Sequence, residues 1–120
     1  MPLYEKMDQT SWVQGDFTDS ATYDLSGTIY RDNRFTTAET SLDTFTGELR
    51  LIDKNDGSPL YTTTSNLTLN SDGTFLIKFS ESDTPHIHGN VKVRLRCTIS
   101  GSRLTAIGVN GSDELYIEND

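Results

Sequence analysis

Lys92, Arg94 and Arg96 recur at every second residue of VKVRLRCTIS, residues 91–100. On an extended chain that spacing puts three cations on one face, about 6.5–7 Å apart. The chemistry on offer is carboxylate recognition, because the planar arginine fork pairs carboxylates bidentately. Cations in a row repel one another. The stripe therefore needs relief from acids on a flanking strand, with Glu48 and the Asp113-Glu114 region as candidates, or from an acidic surface of another subunit. Its setting sharpens the question: the chain holds ten Lys and Arg against eighteen Asp and Glu, a net charge of −8.

Other chemistry-bearing residues read more plainly. His86-Ile87-His88 places both histidines on one side of an extended segment, with Glu81 and Asp83 nearby. A metal centre needs a third or fourth ligand and a fixed surrounding shell, and no diagnostic spacing supplies them. The segment reads as a solvated loop, with no metal. Asp53-Lys54-Asn55-Asp56-Gly57 has the look of a calcium loop, but the EF-hand template would put Ile52 at its first ligand position and Thr63 at its last. It reads as a hairpin turn. Asn66-Leu67-Thr68 and Asn110-Gly111-Ser112 match the glycosylation pattern, with no route to modification in a chain lacking a secretory leader. Cys97, the one cysteine, falls on the apolar parity of its strand and is expected to be buried and inert. No nucleophile has a base in a recognisable setting, so neither enzymatic activity nor a cofactor is expected.

Tyr4, Trp12, Phe17, Tyr23 and Tyr30 crowd the first quarter of the chain. Aromatic faces can cradle sugar rings, fill a core or anchor a segment on a neighbouring protein. A carbohydrate-binding module is the alternative reading they support. For the docking reading, Trp12 and Phe17 join Lys92, Arg94 and Arg96 as candidate protein-interface residues.

The elements that must position these groups are strands. Tyr23, Leu25, Gly27 and Ile29 alternate; so do Leu49 and Leu51 in GELRLID, Phe75, Ile77 and Phe79 in TFLIKF, and Val91 to Ile99. Asp56-Gly57 and Ser71-Asp72-Gly73 supply hairpin chemistry. LYTTT, NLTLN, RLTAIGV and LYIE complete about seven or eight short strands. Turn signals every ~8–12 residues are how a β-sandwich reads. Leu49, Leu51, Phe75, Ile77, Phe79, Val93, Leu95, Cys97 and Ile117 are its expected core. Residues 1–20 show no clear period and are expected to form an N-terminal arm or edge segment; residues 21–120 form one sandwich domain. With 33% hydrophobic residues the core is thin. The acidic balance argues against nucleic acid as a partner, since a phosphate backbone is bound by neutralising it. No 18-residue apolar run or basic amphipathic helix points to a membrane. MPLYEKMDQT lacks the pattern of a signal peptide, so the chain is expected to be made and kept in a cytosol.

The order of these pieces resembles the immunoglobulin-like N-terminal domain of BppU-type upper baseplate proteins of tailed bacteriophages. The likeness rests on Gln14-Gly15-Asp16, on Asp43-Thr44-Phe45-Thr46-Gly47 followed by Leu49-Arg50-Leu51-Ile52-Asp53, and on Asp56-Gly57. It continues through Asp72-Gly73 with Phe75, Asp83-Thr84, Gly89 with Val91, and Tyr116-Ile117, spanning roughly residues 12–118. The resemblance implies an immunoglobulin-like antiparallel β-sandwich in a virion, made in the host cytoplasm. Its partners would be other virion proteins and copies of itself. Without a coiled coil or receptor-bearing region, the expected role is a docking or cementing piece of head, tail or baseplate.

Overall fold

The alternating segments fold into two facing sheets. The structure is a computed structural model and describes residues 2–13, 25–78, 87–99 and 101–118. Ten strands lie among the described residues: β1 (Tyr4–Met7), β2 (Ser11–Val13), β3 (Leu25–Tyr30), β4 (Thr46–Asp53), β5 (Pro59–Thr63), β6 (Leu67–Leu69), β7 (Thr74–Ile77), β8 (Gly89–Ile99), β9 (Ser102–Thr105) and β10 (Glu114–Glu118). One sheet runs β1-β3-β7-β6; the other runs β2-β10-β8-β4-β5, with β9 also paired to β8. All pairs are antiparallel except β2 with β10. That strand order is the one by which immunoglobulin-type sandwiches are built.

Period-two alternation sets the core. Leu49 pairs with Leu95, Leu51 with Val93 and Gly47 with Cys97 across β4 and β8. Phe75 and Ile77 meet them from the opposite sheet, where they pair with Gly27 and Leu25. Every expected core residue among those described is at most 1% exposed; Phe79 lies outside them. Gly27 is where three strands converge: a Cβ there would fall 2.5 Å from the Phe75 ring and 2.8 Å from the Lys6 carbonyl. Gly57 (φ 76°) and Gly73 (φ 93°) adopt the left-handed conformation of the two Asp-Gly turns. Asp56 and Asp72 tie those turns down by accepting the backbone N–H and hydroxyl of Ser58 and of Thr74.

The N-terminal residues supply an edge strand to each sheet. β1 pairs with β3, and β2 with β10, where Trp12 stands opposite Ile117. Residues 14–24, with Phe17 and Tyr23, lie outside the described residues. Glu5 and Met7 of β1 are buried together with the preceding Leu3, so a glutamate occupies a core parity.

The last strand is split. β4 fills one edge of β8 along Val91–Thr98, so β9 and β10 share the other, β9 opposite Arg96–Ile99 and β10 opposite Gly89–Lys92. The excursion between them is held by the amide of Ala106 on the Leu95 carbonyl and that of Val93 on the Asp113 carbonyl. β1 leans into this gap: Ile107 N–H donates to the Leu3 carbonyl, and Glu5 N–H to that of Ile107.

Candidate functional site

The register that builds the core also fixes what stands outside. Residues directly opposite one another in an antiparallel pair share a face. Arg50 faces Arg94, Glu48 faces Arg96, Glu114 faces Lys92, and Arg103 faces Thr98. The outward side of the larger sheet thus collects Arg50, Lys92, Arg94, Arg96 and Arg103, five of the chain's ten cations. Three were expected as a stripe; Arg50 and Arg103 widen it into a patch. Their signal was present in the sequence. Arg50 has the outward parity of GELRLID, and a hairpin at Gly101-Ser102 puts Arg103 beside the stripe.

The acids expected to relieve the stripe bond elsewhere. Glu48 accepts from Arg50 Nε at 2.8 Å, its neighbour two residues along β4. Glu114 takes Lys54 Nζ at 2.9 Å. Among the described residues, Lys92, Arg94 and Arg96 enter no ion pair. Arg96 is the most crowded. Its Nε–H is shielded from water and has no hydrogen-bond acceptor. The charge of Arg50, loss of water, and then Arg103 and Arg94 hold its pKa below the ordinary arginine value, with Glu48 pulling the other way. A guanidinium does not shed its proton under these conditions. The crowding therefore persists as repulsion among the cations of this face.

Beside the patch lies a cleft of about 620 Å³, at the start of β4. Arg50, Arg96 and Arg103 line it with Thr46 and Thr98, while Phe45, Leu67 and Leu69 form an apolar wall. Asp43 and Glu48 are the acids in its lining. Gly47 lets β6 come this close, since a Cβ there would lie 2.8 Å from Leu67 Cδ2.

A second, smaller cavity of about 290 Å³ opens beside the split in the last strand, lined by Glu5, Lys92, Arg94 and Asp113 among others. Glu5 is fully buried, and among the described residues neither carboxylate oxygen makes a well-formed hydrogen bond, the Leu95 amide being the donor that bears on it. Desolvation first, then the nearby Asp113, push its pKa well above the ordinary glutamate value; the Leu95 amide and Arg94 oppose them. Sequence reasoning missed this residue, because a glutamate at a core position erased the alternation of β1.

The remaining candidates stay apart from the patch. Trp12 sits at the other edge of the sheet, in β2, and Phe17 is outside the described residues. His88 is exposed, His86 lies outside the described residues, and no group of three or more His, Cys, Asp or Glu among the described residues could hold a metal. Cys97 is buried, its thiol pushed up to about 12 by desolvation and then by Glu5 and Glu39. Tyr30 packs on Phe35 with ring centroids 5.3 Å apart, and Lys6 caps that ring. Among the residues whose exposure is described, the exposed large hydrophobics are Ile99, Ile107 and Tyr116.

Fold and site together define an all-β, two-sheet sandwich with a cation-rich outer face on its larger sheet. The chain matches no protein-family model and no curated protein.

Proposed function

We propose that this protein is a non-enzymatic docking piece of a tailed-bacteriophage particle, a small sandwich that seats its cationic sheet face on an acidic surface of another virion subunit. The observation that carries the docking reading is the arginine-rich patch. Half of the chain's cations stand on one face of a protein of net charge −8, and two of the acids beside them are bonded to Arg50 and Lys54, leaving Lys92, Arg94 and Arg96 in no ion pair among the described residues. Concentrating like charge has a cost in the free protein, and a partner's carboxylates turn that cost into orientation and a fast encounter. The virion setting rests on the sequence resemblance.

The test is incorporation of Arg94→Glu/Arg96→Glu into particles, scored per folded molecule. Loss of incorporation with an unchanged circular dichroism spectrum is the expected result. Normal incorporation at both low and high salt would overturn the reading.

A further inference from the structure

We infer that the open stretch of β4 accepts an extended, acid-rich segment of a partner protein as an added β-strand. This deepens the docking reading and rests on it.

The argument starts where the chain changes sheets. β5 pairs with β4 only along Leu49–Ile52, ending with Thr63 opposite Leu49. The chain then turns away, the Thr63 hydroxyl accepting the Asn66 amide at 3.1 Å, and β6 joins the other sheet. Thr46–Glu48 are bonded to β8 along one edge, and no strand among the described residues covers their other edge. The 620 Å³ cleft lies at this place.

An added strand brings backbone groups to the bare edge of β4 and sends successive side chains to opposite faces. The two walls of the cleft differ in kind. Side chains turned toward the outer face meet Arg50, Arg96 and Arg103, where carboxylates fit. Side chains turned inward meet Phe45, Leu67 and Leu69, where aliphatic groups fit. The preferred segment therefore alternates acidic and apolar residues. Such a strand also offers an acceptor within reach of the crowded guanidinium of Arg96. A phosphate or sulfate polymer would satisfy the arginines and leave both the backbone edge and the apolar wall without a match.

The test adds an acetylated peptide of alternating glutamate and valine to the full-length protein, and in parallel the same peptide N-methylated at two amides on its pairing edge. Hydrogen exchange follows the amides of Thr46–Glu48. The expected result is salt-sensitive binding that slows exchange within Thr46–Glu48. N-methylation should weaken binding by about tenfold, the equivalent of one or two lost hydrogen bonds. Arg96→Glu/Arg103→Glu should weaken it as well. The N-methylated arm needs no protein variant, so misfolding cannot confuse it. Equal binding of both peptides, or unchanged exchange at Thr46–Glu48, overturns strand addition. If that happens while Arg94→Glu/Arg96→Glu still loses incorporation, strand addition alone has failed. Normal incorporation of that variant removes the docking reading itself.

Discussion

Arg50 of β4 and Arg94 of β8 face each other in one antiparallel pair, and the acid bonded to Arg50 is Glu48, two residues along its own strand. A like-charged pair at directly opposed positions is a local destabilisation that a neutral or acidic residue would remove.

Arg94→Glu should therefore move the stability of the free protein by no more than about 1 kcal/mol, because the repulsion from Arg50 that it removes is set against the attraction to Glu5 that it loses. Thermal melts at low and high salt check this. The part owed to the exposed Arg50 pair should shrink as salt screens it. A clear drop in melting temperature would mean that Arg94 is held by an attractive contact within the sheet.

Glu5→Gln should flatten one limb of the stability profile. The folded-state pKa of Glu5 lies above its unfolded value, owing to desolvation and then Asp113. Its contribution is fully present below the unfolded glutamate range and is lost as pH rises toward the folded pKa. Across that window wild-type stability should fall relative to the Gln variant by about 1.4 kcal/mol per pH unit, the slope of one proton held only by the folded state. Asp56 and Asp72 act in the opposite sense. Their turn hydrogen bonds, led by Ser58 and Thr74, lower their pKa values, so their contribution is present at neutral pH and lost in acid. Chemical denaturation of both proteins across pH separates the two limbs; curves that stay parallel as pH rises from the unfolded glutamate range would refute the assignment to Glu5.

Gly27→Ala tests the meeting point of β1, β3 and β7. The added methyl has no room beside the Phe75 ring and the Lys6 carbonyl, so overpacking should cost about 1–3 kcal/mol. Urea titration measures it, and a neutral outcome would show that β1 does not lie against β3 as described.

Leu95→Ala empties the centre of the larger sheet's inner face, where Leu95 is fully buried opposite Leu49. The transfer and cavity terms together should amount to about 2–5 kcal/mol. In the same protein, Cys97 should become reactive to a thiol reagent only when the sandwich opens, because it is buried with its thiol pushed up to about 12. Rapid labelling of native wild-type protein would contradict that burial.

The strands with clean alternation were legible in the sequence. VKVRLRCTIS and GELRLID announce their core and outer faces residue by residue, and their pairing follows from matching the apolar parities. β1 was hidden because Glu5 stands where a leucine would have shown the period, and β2 because three residues are too few to show one. The patch was half legible: parity gives Lys92, Arg94 and Arg96, but placing Arg50 and Arg103 beside them needs the register between strands. Least legible were the acids. Glu48 does stand across from Arg96, as sequence reasoning allows, yet its carboxylate reaches Arg50. Only side-chain geometry decides between two cations equally near in register.

The stitching of β1 into the gap of the last strand also bears on when the fold closes. Ser112 Oγ donates to the Glu5 carbonyl at 2.7 Å across 107 positions of sequence, and the Met7 amide reaches the Ser112 carbonyl. β3 lies close enough in the chain to meet β1 early. The Ile107–Ser112 side of the seam is made only after the long intervening chain, Ser112 lying 107 positions beyond Glu5. Contacts of such long sequence separation impose their loop entropy before returning any stabilisation, and they slow folding. β1 is thus made well before the seam that holds it and is among the last strands to be sealed, and until then Glu5 stays in water, ionised.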